Sequence, residues 1–508
     1  MRNRLILSLF FLFCSFFLLA QMSENDRVIK VGVESDLILN NPWDMEVAVD
    51  AKILWNIFEP LVTLEEKSTK IKPCLSTSWR ARDNNRIWLF KLRKGAKFHD
   101  GSTLTVDDVV ASASLFKDFE AKVEKVDDST IRFTLPEPNS GFLHKLGVIK
   151  YAIAPVRTVE LYKSLKKEGR LEDFLPIGSG PFKFSRWEKG KEIVLESFTD
   201  YWQGSPWLKM VVYSVITDNK ARINALEKGE IDLIDVLFPA DLTRIKKNSS
   251  LNILSMYGMN ICYIAMNTTR KPLDDTMVRQ ALNLAVDKLR LARMFYFGGY
   301  GVPTTRVLSP AFWGFNAIPS AGDYQPAKAR QMLTAAGYNK GLSLKLVCSP
   351  IARPYVPDPQ GVAIEIKRQL AYVGAKVQIT VPSNYSEFLS TLDRGDFDLA
   401  LAGWIDLGGD PDHIFSYLLS SGQTYIYNQA RWNNKLFDEK LKAARQLPLS
   451  DVKGRIRLYN EAQRIFQQEA PWIPLFHTKI YVIHNRKIKG IIFYPSTMIS
   501  YNKVIFGG

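Results

Sequence analysis

An α/β fold built as two similar lobes is what this chain predicts, and two observations carry the expectation. From Asp323 onward the pattern reads as helix 325–336, strand 342–348, helix 359–373 and strand 375–381, the alternation of α/β units. A unit of helix, basic-Gly-acidic turn and strand also occurs twice. The first copy pairs an expected helix at Asn219–Leu226 with the turn Lys228-Gly229-Glu230 and a strand at 231–237. The second pairs Phe388–Leu392 with Arg394-Gly395-Asp396 and a strand at 397–401. One unit repeated far apart in a chain implies two lobes of like construction, with a cleft between them.

The elements follow in order. Arg2 and Arg4 precede an almost wholly apolar run from Leu5 to Ala20, the layout of a secretory signal cleaved after Ala20. Leu18 is larger than usual for the third position before the cut, and a retained anchor is the alternative, because the run approaches a spanning length. Cys14 follows Phe11-Leu12-Phe13 and lacks the small neighbours of a lipoprotein site, so it is expected to leave with the signal. Val28 to Val33 reads as a short buried strand, Asn41-Pro42 as a break, and Val47 to Phe58 as a helix. In 91–110, KLRKGAKFHDGSTLTVDDVV, strand alternation gives way to the turn pair Asp100-Gly101 and then to Thr105, three residues before Asp108, a helix N-cap pattern. The stretch Gly178-Ser179-Gly180-Pro181-Phe182 is an elbow leading into expected strands at 182–187 and 192–198.

Composition bounds the function. At 508 residues with a 46% apolar fraction, the chain has material for two or three domains and substantial cores. The net charge of +15 comes from bases scattered among acids, with no zinc finger, arginine-rich arm or RNA-binding aromatic signature, so a solvated basic surface is expected and no nucleic acid. Cys74, Cys262 and Cys348 are far apart and odd in number; one disulfide or three buried thiols fit, and the thiols are the simpler reading. The five histidines, His99, His144, His413, His477 and His484, show no metal spacing. Neither G-x-S-x-G, H-E-x-x-H nor a phosphate-binding loop of the G-x-x-x-x-G-K-[ST] type occurs, so no enzyme and no cofactor are expected.

The 91–110 segment resembles the signature of family 5 extracellular solute-binding proteins, the receptors of oligopeptide, dipeptide and nickel ABC importers. The resemblance extends through the 178–182 elbow, Met266-Asn267-Thr268-Thr269, Pro272-Leu273-Asp274-Asp275 and Val278-Arg279-Gln280-Ala281-Leu282. Arg353-Pro354-Tyr355, Gly403-Trp404 and Gly409-Asp410-Pro411-Asp412 look most like the dipeptide-binding branch. It implies a two-lobed periplasmic-binding-protein fold with an extra domain: domain I at 21–55, 178–258 and 480–508, domain II at 56–177, and domain III at 259–479. It also implies a periplasmic monomer that captures short peptides and passes them to a membrane permease with its ATPase. A muropeptide, glutathione, an antimicrobial peptide or a metal chelate is the alternative ligand.

Site residues are expected accordingly. A dipeptide's carboxylate and ammonium, stripped of water, each need a fixed opposite charge. Arg353 sits in a proline-stiffened loop and matches the family's carboxylate-binding arginine; Tyr355 would line the same space. Gly403 would admit ligand backbone, Trp404 would form an apolar wall, and Ile405 would lead to Asp406 as the ammonium partner. The branch places that aspartate where this chain has Leu407, so either Asp406 takes the role or Glu46, early in the first helix, replaces it. Asp410 is expected instead to cap a helix at 414–419.

Overall fold

The computed structural model describes residues 27–45, 48–116, 120–315 and 324–507. The signal segment, Cys14 and Glu46 lie outside the described residues. Among these residues, no helix is long and apolar enough to cross a membrane.

Twelve strands form one mixed sheet. In chain order they are β1 (Val28–Val33), β2 (Phe182–Glu188), β3 (Glu192–Ser197), β4 (Met210–Val215), β5 (Leu233–Ile234), β6 (Leu251–Tyr257), β7 (Asn260–Met266), β8 (Gly301–Pro303), β9 (Leu342–Cys348), β10 (Ala375–Thr380), β11 (Leu399–Ile405) and β12 (Trp472–Asn485). Their order is β10-β9-β11-β7-β12-β5-β1-β4-β3-β2, with β6 and β8 also pairing with β12. β7, NICYIAM, is buried at every position, as expected of a strand covered on both faces. β12 spans 14 residues and belongs to both halves of the sheet. Its first part pairs with β7 and β8, its last part with β5 and β6.

The two copies of the repeated unit occupy opposite halves. The helix Asn219–Lys228 is capped at its start by Asp218 and closed by Gly229; the helix Tyr385–Arg394 is capped by Asn384 and closed by Gly395. Both glycines sit at positive φ, 73° and 78°, where a side chain would be strained. The strands that follow differ in length. β11 runs seven residues between two neighbours, whereas the strand expected at 231–237 shrinks to Leu233–Ile234. That pair lies parallel to β1 on one side and antiparallel to β12 on the other, with Asp232 adding one backbone hydrogen bond to each, from its N to the Lys30 carbonyl (2.7 Å) and from Asn485 N to its carbonyl (2.9 Å).

A separate four-stranded antiparallel sheet is formed by Ser76–Arg82, Ile87–Leu92, Thr130–Thr134 and Lys122–Asp127 in that order. Alternation along Ile87–Leu92 buries Trp88, Phe90 and Leu92 beneath it. The helix Val106–Ala113 begins as its sequence predicts: Asp108 N donates to Thr105 Oγ1 (3.4 Å) while Thr105 N donates to Asp108 Oδ2 (2.8 Å). His99 ties this lobe to the elbow, its Nδ1 accepting from Gly178 N (3.2 Å) and its Nε2 donating to the Gly180 carbonyl (3.0 Å). Burial pushes the ring down to about 4, so it stays neutral.

The segments around this sheet also touch residues far along the chain. Ser140 N donates to the Arg445 carbonyl (2.8 Å), and Asn85 Nδ2 donates to the Leu447 carbonyl (2.7 Å). Cys74, Cys262 and Cys348 are free, buried thiols.

Candidate functional site

The carboxyl end of β11 is the natural place for a ligand in an α/β sheet. On one side β7 pairs with it along all seven residues, from Leu399 to Ile405. On the other side β9 pairs only as far as Leu401, so residues 402–405 have no strand partner there. Loop 349–358, which follows β9, lies beside that open edge.

Short contacts hold this loop in place. Arg353 and Val356 exchange two backbone hydrogen bonds (3.0 and 2.9 Å). Tyr300 Oη donates to the Pro354 carbonyl (2.9 Å), and Tyr296 Oη donates to the Tyr355 carbonyl (3.0 Å). Those two tyrosines stack in turn on β12, Tyr296 on Phe476 at 4.0 Å and Tyr300 on Tyr481 at 5.5 Å between ring centroids. The loop is thus preorganised by the central strand. Sequence reading missed Tyr296 and Tyr300, because their value lies in contacts far along the chain.

Arg353 is the distinctive group on this loop. Its guanidinium lies over the ring of Tyr385, 4.1 Å from the centroid, a cation–π contact. Its Nε is buried without a hydrogen-bond partner, and no acid pairs with it among the described residues. Tyr355 stands beside it. Burial and the neighbouring Tyr385 push the Tyr355 phenol well above its usual range, against the opposing pull of the Arg353 cation. Tyr385, the first residue of its helix, was not singled out from sequence; nothing in its local pattern distinguishes it.

Gly403 differs from its expected role. A Cβ there would lie 2.5 Å from the Ile261 carbonyl oxygen and would overlap the Tyr355 ring. The close approach that requires glycine is made by Tyr355, not left open for ligand backbone. Trp404 packs at 5.7 Å against Tyr427, nearly perpendicular, and at 6.5 Å against Tyr417, while its Nε1 is buried and unpartnered. Ile405 ends the strand opposite Asn260.

Asp406 is engaged inside the protein. Its side chain is 0% exposed. Oδ1 accepts from Gly408 N (2.9 Å) and Gly409 N (2.8 Å), and Oδ2 meets His413 Nδ1. The carboxylate folds the 406–410 turn, which corrects the expectation that it reaches a ligand ammonium. Asp410 caps the helix Pro411–Leu419, as expected, and accepts both contacts of a buried pair with Arg455 (2.8 and 2.9 Å). Although burial pushes Asp410 up, the Arg455 cation and neighbouring His144 hold it below the usual carboxylate range. His144 lies in the short helix Phe142–Lys145, with its Nδ1 3.3 Å from Asp410. No group of metal-ligating side chains occurs among the described residues.

Known proteins resemble the whole assembly. A family model described as bacterial extracellular solute-binding proteins, family 5 Middle, matches residues 70–425. The dipeptide-binding protein of Escherichia coli K12 is 31% identical over 471 residues, covering 86% of this chain and 87% of that protein. Heme-binding protein A of Haemophilus influenzae is 33% identical over 472 residues, covering 86% of this chain and 85% of its own length. An ABC transporter-associated periplasmic binding protein of Helicobacter pylori, solved in complex with the peptide STSA, superposes with a TM-score of 0.82 at 26% identity over 96% of this chain and 99% of that one. With 70–425 matched and full-length relatives above 30% identity, the chain belongs to family 5 of the bacterial extracellular solute-binding proteins.

Proposed function

We propose that this protein is the exported receptor of an ABC importer, closing on di- or short oligopeptides and delivering them to a membrane permease and its ATPase without altering them. The observation that carries the reading is Arg353: a cation without an acid partner among the described residues, fixed over Tyr385, on a loop tied down beside the unpaired edge of β11. Such an edge can hydrogen-bond an extended peptide main chain, and a planar guanidinium can grip its carboxylate through two hydrogen bonds. Relatives named for binding dipeptides and di- or tripeptides support the same ligand class.

In this reading the lobes are 21–55, 178–258 and 480–508 for the first, 56–177 for the second and 259–479 for the third. The hinges lie near 178 and 259, the signal ends at Ala20, and the mature receptor works as a periplasmic monomer. Trp404, Tyr355 and Ile405 form the wall around the bound peptide.

Calorimetric titration of Arg353→Ala with a short-peptide mixture tests the clamp. Affinity is expected to fall roughly 10- to 100-fold, with the melting temperature held. Unchanged affinity in a folded variant overturns the assignment. Native mass spectrometry of the secreted protein is the complementary measurement, and co-purified short peptides are the expected finding.

A further inference from the structure

Every acid at the carboxyl end of β11 already has a partner within the protein. Asp406 is enclosed by Gly408, Gly409 and His413. Asp410 holds Arg455 and caps its own helix through Asp412 N (2.9 Å). Asp412 accepts from Arg445 Nε at 2.9 and 3.1 Å. The acids of the adjoining segments are also occupied: Asp358 caps the helix Pro359–Ala371 by accepting from Gly361 N (2.8 Å), and Glu387 accepts from Ser383 N (2.7 Å) and Ser383 Oγ (2.6 Å). Leu407, next to Asp406, is an apolar residue packed against the core.

Two donors at this end of β11 are left over. Arg353 Nε and Trp404 Nε1 are buried without partners. A site with donors to spare and each nearby acid engaged suits a ligand rich in acceptors. A desolvated ammonium brought to this end would have no uncommitted carboxylate among the described residues, and leaving such a charge unpaired is costly. A carbonyl in its place would supply an acceptor and carry no charge.

We infer that the ligand is a short peptide with a free carboxylate and an uncharged amino end, such as an N-acylated peptide. This rests on the proposed peptide-receptor function and narrows its substrate class. The carboxylate meets Arg353; the blocked end lies toward the aromatic surface of Trp404, Tyr417 and Tyr427 and the side chain of Leu407.

Calorimetry with three probes tests it on the full-length mature protein: Ala-Phe, N-acetyl-Ala-Phe and N-acetyl-Ala-Phe amide. N-acetyl-Ala-Phe is expected to bind at least about tenfold more tightly than Ala-Phe, and the amide to lose about tenfold or more relative to the acid. Ala-Phe binding as well as or better than its acetylated form overturns this inference and leaves the peptide-receptor reading standing. Failure of all three probes to bind, in protein that melts cooperatively, overturns both.

Discussion

Lys288 shows how one side chain can make stability depend on pH without touching the ligand site. It is the first residue of the helix Lys288–Phe295, its Nζ donates to the Thr304 carbonyl (3.0 Å), and it is 2% exposed with no ion-pair partner among the described residues. Burial alone pushes it down to about 7, and its place at a helix N-terminus adds no help to a cation. In the unfolded chain a lysine titrates near ~10.4. Between these values the unfolded state binds the additional proton, so stability is expected to rise with pH from about 7 to about 10. Lys288→Met should therefore be more stable than the natural protein by about 1–3 kcal/mol at pH 7, with the difference closing toward pH 10 in urea denaturation. A constant difference across that range would reject the titration of Lys288 as its cause. Residues of this kind mark the boundary of what a sequence reveals. The capping pair Thr105 and Asp108 was legible because its partners are three residues apart. Asp406 was misread although its partners are also close, because only the folded turn shows the carboxylate pointing inward.

At the scale of elements, one side chain ties the start of β7 to the middle of β12. Where the chain passes from β6 to β7, Asn260 is 1% exposed; its Nδ2 donates to the Thr478 carbonyl (3.0 Å) and its Oδ1 accepts from Thr478 N (2.8 Å). The amide thus stands in for a rung of the ladder at the middle of β12, where the strand changes partners. Asn260→Ala would leave Thr478 N without its partner, while the Thr478 carbonyl keeps Gly258 N (3.2 Å), and should cost about 1–3 kcal/mol, read as a lower urea midpoint with the m-value unchanged. A loss below about 0.5 kcal/mol would mean that water replaces the amide. Most elements were readable from pattern alone: the strands 28–33 and 342–348 occur as expected, and the helices 325–336 and 359–373 appear with slightly shorter bounds, Pro326–Ala335 and Pro359–Ala371. The strand after Gly229 was overextended, because the mostly apolar run 231–237 fits a strand while regular pairing is confined to Leu233–Ile234. Periodicity reports what a segment can bury; partners decide where it pairs.

Across the whole molecule, capture of a peptide should appear as a change of shape. Lobes that close on a ligand bring mass inward, so small-angle scattering is expected to give a smaller radius of gyration on adding N-acetyl-Ala-Phe, and no contraction with Arg353→Ala. Contraction in neither protein would point to a receptor that stays closed. The two-lobed plan was legible from the repeated unit, and the extra sheet at 76–134 only through family resemblance, since its hairpins carry no sign of a separate lobe. β12 could not have been placed at the centre from its sequence, since an apolar run near the chain's end fits many positions in a sheet. That placement has a consequence for biogenesis. The strand that completes both halves of the twelve-stranded sheet is Trp472–Asn485 in a chain of 508 residues. Until the ribosome has made residues 472–485, neither half of the sheet has its shared strand, because contacts of such long range form late. A nascent chain kept open in this way remains threadable through a membrane channel, and its sheet is sealed once the last strand has crossed.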